Sequence, residues 1–216
     1  MKAANKNTIR EITKTKSRFL SILLISAIGV GFFSGVRAAG GDMRVSADDY
    51  YDTHNLFDLR VLSTFGLTDG DLEAIEAADD VDGAYASKYT DLSMHCGEKE
   101  YITRVYSKTP DAINKVDIYE GRMPQAENEA IVDGAFGADM DIGDTVTLED
   151  PSKADEFPLK RREYTIVGMY HTPMFISKTQ RGSTNIGDGV IDALMIVPGD
   201  QFTQEPYTEK SEAKRS

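Results

Sequence analysis

The chain has 216 residues and a formal net charge of −12, with 40% hydrophobic residues, a single cysteine and no tryptophan. So acidic a chain is a poor partner for nucleic acid, because phosphate binding needs clustered Lys and Arg. Cys96 stands alone, so an internal disulfide is excluded and the fold must rest on packing, with Cys96 itself read as a half-buried small apolar side chain. The average also hides a split: the first 18 residues carry six basic groups and one acid, Glu11, whereas the remainder carries 18 basic and 35 acidic groups.

Residues 1–18 interleave Ile9 and Ile12 with Lys2, Lys6, Arg10, Lys14, Lys16 and Arg18, the pattern of an amphipathic helix at an inner membrane surface. Phe19 to Val36 then gives 18 consecutive uncharged residues. As a helix this run spans roughly 27 Å at about 1.5 Å per residue, close to the roughly 30 Å of a bilayer's hydrocarbon core. The basic residues ahead of it keep the N-terminus in the cytoplasm and put the acidic remainder outside.

A cleavable secretion signal is the rival reading, since Val36-Arg37-Ala38 loosely fits a small-x-Ala cleavage site. The run is longer than the roughly 7–15 residues of a signal's core, and Arg37 sits inside the site, so a permanent anchor over 19–37 is favoured. Within the run Ala27, Gly31 and Gly35 recur every four residues, and Gly31 to Gly35 is a GxxxG. Such a ridge lets helix backbones approach closely in lipid, which makes these three the candidate helix-packing residues.

Residues 38–55 read as a stalk that continues the helix outward, with a possible kink at Gly40-Gly41. Leu56 to Ser63 alternates as a strand, and Thr68 caps a short helix whose apolar face is Leu72, Ile75 and Ala78. Val81 to Met94 and Glu100 to Ser107 read as two strands joined by the turn Cys96-Gly97-Glu98-Lys99. Glu129 to Val132, Thr145 to Leu148, Tyr164 to Tyr170 and Ala193 to Val197 are further strands, with a helical piece at Gly134 to Met140. The fold class is therefore α+β, an N-terminal transmembrane helix followed by a mixed extracytoplasmic domain of short strands and helices. That domain is expected over 56–200, leaving 201–216 as a polar tail without a convincing end to a fold.

Catalytic and ligand chemistries find little support. A GxxxxGK[ST] phosphate loop is absent. Asp139 to Asp144 superficially resembles a calcium loop but has Gly143 and Asp144 where the loop needs an acid or amide and then glycine. It reads as a turn feeding the next strand. His54, His95 and His171 are not at metal-ligand spacing. Ser177, Ser183 and Thr184 lack a nucleophile elbow, and the Gly-rich segment Arg181 to Gly189 reads as a mobile loop. Asp52, Asp58 and the cluster Asp79-Asp80-Asp82 are candidate acid–base groups with nothing in the sequence to bring them together. The expectation is no enzyme, no catalytic residue, no cofactor and no metal.

Ile9-Arg10-Glu11-Ile12 followed by Ser17-Arg18-Phe19-Leu20-Ser21-Ile22 resembles the start of FtsX-like ABC transporter permeases, and the ectodomain resembles their MacB-like periplasmic core domain. The matching runs are Glu120-Gly121-Arg122-Met123-Pro124, Asn128 to Val132, Ile142-Gly143-Asp144 to Leu148, Tyr164 to Met169 and Leu194 to Pro198. On this resemblance Gly121, Gly143 and Asp144 are structural turn residues, and Val146, Leu148, Ile166 and Val167 fill the core. The resemblance implies a permease subunit, or its N-terminal portion, in the bacterial cell membrane. Its implied partners are a cytoplasmic ABC ATPase subunit, further permease helices and the lipid bilayer, with export or force transmission as the outcome. Residues 1–18 would lie near the ATPase and 42–54 would be the lever. The family carries further membrane helices after the ectodomain and this sequence shows no second apolar run. The chain is thus expected to be a truncated piece, a split gene product or an ectodomain that has lost its transport partner. The alternative function is a single-pass, membrane-anchored binding or sensing module.

Overall fold

The computed structural model describes residues 10, 14–133, 140–152, 156–175, 177, 181–203 and 207–214. Most of the basic segment 1–18 and the expected helical piece at Gly134 to Met140, apart from Met140, lie outside them. Two units are distinct, 1–50 and 51–216. Over its described residues the first is largely α1, Lys16–Thr53, a 38-residue helix that runs unbroken through Gly40-Gly41 and whose last three residues belong to the second unit. The apolar run and most of the segment expected as a stalk are thus one helix, because a helix interior tolerates glycine at a cost of only about 1 kcal/mol each. Among the described residues α1 is the one helix long and apolar enough to cross a membrane, and none of its residues is buried within the chain.

Over its described residues the second unit holds, besides a 3-10 turn at Gly199–Gln201, ten strands and one short α-helix. In chain order they are β1 Leu59–Leu67, α2 Asp69–Glu76, β2 Val81–Ser87, β3 Tyr89–Cys96, β4 Lys99–Ser107, β5 Asp117–Gly121, β6 Glu129–Asp133, β7 Thr145–Glu149, β8 Glu163–His171, β9 Ala193–Val197 and β10 Tyr207–Lys214. Thr68 caps α2 as its sequence requires: the Thr68 hydroxyl accepts from the Asp71 amide, and an Asp71 carboxylate oxygen accepts from the Thr68 amide at 2.7 Å. The helix stops at Glu76, so Ala78 falls outside it and only Leu72 and Ile75 are partly covered.

Seven strands form one sheet in the order β5-β8-β6-β9-β4-β3-β7, and β7 also pairs with β8. Six of them therefore close a ring, which removes exposed edges. The pairs β4–β9 and β6–β8 are parallel and the rest antiparallel. Alternate residues point inward, among them Leu92, Met94, Val132, Val146, Leu148, Tyr164, Ile166, Met195 and Val197, each at most 2% exposed. Burying each such side chain stabilises the fold by about 1.5–3 kcal/mol. A second cluster, Tyr106, Ile131, Tyr170, Ile191 and Leu194, packs on the opposite face, and Val167 joins that cluster, not the inner one.

The run Val81 to Met94 is two strands that belong to different sheets. The chain breaks at Lys88, whose amide donates to the Ser107 hydroxyl (2.9 Å) and whose carbonyl accepts from the Ser107 amide (2.8 Å). β2 then joins a three-stranded antiparallel sheet of order β1-β10-β2. Its central strand is β10, from the polar segment that the sequence left without a fold; Leu59 pairs with Glu212 and Ala86 with Lys210. The Thr208 hydroxyl anchors β10 to the Tyr89 backbone, accepting from its amide and donating to its carbonyl at 3.1 and 3.2 Å.

Candidate functional site: where the chain enters the sheet domain

Between α1 and β1 lie residues 54–58, which belong to neither element. The Leu56 amide closes the helix end onto the Tyr51 carbonyl (3.1 Å), and Asn55 takes a left-handed conformation at φ 47°. The loop before β5 then meets this segment. Asn114 N–H donates to the Asn55 carbonyl and Lys115 N–H to the His54 carbonyl, both at 2.8 Å, while the Asn114 side-chain oxygen accepts from the Phe57 amide at 3.1 Å. Asn114 is itself left-handed at φ 50° and buried.

An open cleft of about 610 Å³ lies beside this segment, lined among others by Tyr51, Asp52, Phe57, Asp58, Asp82 and Tyr85. The structure thus gathers Asp52, Asp58 and Asp82, which the sequence could not associate. Asp79 and Asp80 stay on the turn after α2, where Asp80 is left-handed at φ 68°.

The remaining candidates are scattered. The His54 carbonyl takes part in the contact just described, His95 lies 3.7 Å from Glu149, and His171 stacks on Tyr119 with ring centroids 4.6 Å apart. Among the described residues, groups of three His, Cys, Asp or Glu that could hold a metal are absent. Burial, and then the neighbouring Asp144 carboxylate, raise the Cys96 thiol's pKa, which leaves it protonated and a weak nucleophile. Within the calcium-like run, Asp139 lies outside the described residues. Asp144 accepts from the Asp141 amide at 2.9 Å, and the Gly143 amide donates to the Ile166 carbonyl at 2.8 Å with Gly143 at φ 101°. That is a turn docked on β8.

The Gly-rich segment is not a free loop over its described residues. Arg181, 3% exposed, forms a buried ion pair with Asp133 at the end of β6. Arg104 of β4 pairs with both oxygens of Asp91 (2.6 and 2.7 Å), stacks on Tyr89 and donates to the Ser183 carbonyl at 3.0 Å. The Arg181–Asp133 pair and the Arg104 hydrogen bond to Ser183 hold the segment to the sheet, and sequence offers no signal for either.

Two matched runs are tied together by Arg122 and Glu129. The Arg122 guanidinium forks onto both Glu129 oxygens at 2.5 and 2.7 Å, and Glu129 also accepts from the amides of Gln125 and Ala126. The guanidinium, with those amides, lowers the Glu129 carboxyl from its ordinary 4.5 to about 2. Along the membrane run, a side chain added at Gly31 or Gly35 would meet nothing of the chain within 4 Å, and Ala27 is exposed.

A family model for the MacB-like periplasmic core domain matches residues 19–214. Among solved structures, the chain is similar to the extracellular domain of the noncanonic ABC-type transporter YknZ from Gram-positive bacteria. There the identity is 15% and the TM-score 0.45, covering 71% of this chain and 76% of that one. It is also similar to the periplasmic region of MacB from Actinobacillus actinomycetemcomitans, at 10% identity and a TM-score of 0.42, covering 72% and 67%. Curated proteins give no match.

Proposed function

Because the chain belongs to the MacB-like periplasmic core domain family, we propose that it is a permease subunit of an ABC transporter, or the N-terminal portion of one. In this role it couples a partner ATPase in the cytoplasm to an extracytoplasmic domain, for export or for force transmission. The observation that carries this reading is that the family match runs through the apolar helix and the sheet domain alike, from residue 19 to 214. Localisation to a membrane goes with the apolar helix.

The finer assignments follow from that role. Residues 1–18 lie at the cytoplasmic surface, 19–37 cross the bilayer, and 38–55 are the stalk, with 42–54 as its lever, leading to the domain that starts at 56. The basic excess before the helix supports this orientation. Gly31 and Gly35, where a Cβ would meet nothing of the chain within 4 Å, and the exposed Ala27 pack against further permease helices. Gly121, Gly143 and Asp144 are fold determinants, and the chemistry of ATP hydrolysis belongs to the partner.

Purification of the membrane-embedded chain from its native cells, with identification of co-purifying proteins, tests the reading. Recovery of an ATPase together with a multi-helix membrane protein is the expected result, and recovery of the chain alone overturns it. The cleft with Asp52, Asp58, Asp82, Tyr51 and Tyr85 favours the second reading, a tethered module that binds a ligand outside the membrane. Under that reading, cationic ligands bind the purified chain without any ATPase.

A further inference from the structure

We propose that Asn114 fastens the end of α1 to the seven-stranded sheet, so that a displacement of the last helical turn reaches β5 and β8 instead of being absorbed in residues 54–58. The proposal rests on the coupling role above and names the residue that performs it.

Residues 54–58 have no regular structure, and an untied five-residue link would act as a swivel. Three hydrogen bonds remove that freedom, and all three involve the loop 114–115: Asn114 to Asn55, Lys115 to His54, and Phe57 to the Asn114 side chain. The loop is itself held from below. Ile113 is 1% exposed, Val116 packs against the second core cluster, and Asp117 begins β5, which pairs with β8 from His171 to Gly168. A continuous path therefore runs from Thr53 through Asn114 into the closed ring.

A parallel path runs through β1, where Leu59 and Glu212 form the terminal rung of the β1–β10 ladder. The Asn114 path shares its load over bonds made in one place to a buried loop.

Asparagine meets two demands at once. It tolerates the left-handed conformation at φ 50° better than most residues, and its side-chain oxygen accepts from Phe57. Glycine satisfies the first demand only. Aspartate satisfies both.

The test uses the full chain in lipid nanodiscs, comparing Asn114→Gly with Asn114→Asp. Amide exchange at Phe57 should become about tenfold faster in Asn114→Gly, the loss of one partly buried hydrogen bond, while amides of β6 and β8 keep their protection. Spin labels placed at positions 53 and 163, both exposed, in a Cys96→Ser background should report a broader distance distribution in Asn114→Gly. Asn114→Asp should match the parent in both readouts. Unchanged Phe57 exchange and an unchanged distribution in Asn114→Gly overturn the proposal. So does loss of protection throughout the sheet, which would make Asn114 a general stability residue. Neither readout requires an ATPase, so failure of the coupling role would show in the co-purification and failure of the fastening would show here.

Discussion

Gly121 and Gly168 face one another across β5 and β8 as Cα partners, so close that a Cβ at Gly121 would lie 2.8 Å from the Gly168 Cα. A Cβ at Gly121 would run into the Val167 carbonyl and lie 2.7 Å from Ile142, with Gly121 at φ 76°. A Cβ at Gly168 would lie 2.5 Å from the Arg122 carbonyl. Two of the runs that carry the family resemblance, Glu120 to Pro124 and Tyr164 to Met169, therefore meet backbone to backbone.

Alanine at either position should be costly, and more so than at Gly143. Gly121→Ala combines left-handed strain with overpacking against backbone, about 2–5 kcal/mol together. Gly143→Ala meets nothing within 4 Å, so only the strain at φ 101° remains, about 1–2 kcal/mol. Denaturant midpoints of the two variants should fall in that order, and equal losses would contradict the close approach of β5 and β8.

Acid sensitivity should pass through Glu129. Its folded pKa of about 2 lies below the ordinary 4.5, so its contribution to stability is fully present above 4.5. Between 4.5 and 2 the unfolded chain takes up the proton first, and stability is lost as pH falls. Glu129→Gln should therefore be less stable than the parent at pH 6 and show a shallower decline from pH 5 to 3, measured by urea unfolding at each pH. Parallel declines would remove the Arg122–Glu129 pair as the cause.

The buried pair Arg181–Asp133 should behave as a unit. Arg181→Met alone leaves a buried carboxylate and should cost about 3–5 kcal/mol. The double variant with Asp133→Leu should recover much of that loss, because both charges are then gone. Thermal unfolding of the two single variants and the double variant measures the coupling; additive losses would show that the pair is not interacting.

Gly31→Leu should weaken association with neighbouring membrane helices and leave the sheet domain folded. A Cβ at Gly31 meets nothing of its own chain within 4 Å, so a loss of association points to contacts with another molecule. Crosslinking yield in membranes reads the association, and an unaltered yield would rule out packing through this ridge.

At the helix cap the stake is smaller. Thr68→Ala removes the acceptor for the Asp71 amide and should destabilise the chain by about 1 kcal/mol. A shift in denaturant midpoint of that order, with an unchanged slope, is the expected reading.

Features set by local periodicity were legible from the residues alone. An uncharged run of helical length, the Thr68-x-x-Asp71 cap and the alternating strands from Glu129 to Val197 depend on neighbours three or fewer positions apart, and the structure places each of them as helix, cap or strand. The α+β class follows from the same local signals. Pairing over long separations was decided by the tertiary structure. β10 has the composition of a solvated tail, yet it is the middle strand of a sheet because its backbone groups pair on both sides with residues more than 100 positions away. Lys88 divides an unbroken strand pattern because Ser107 turns it at a corner. Arg181 pairs with Asp133 across 48 positions, and Asn114 with Phe57 across 57. Hydrophobic period and capping are properties of a short stretch of chain. A hydrogen-bond partner at the far end of a sheet is a property of the closed ladder, which no short stretch encodes.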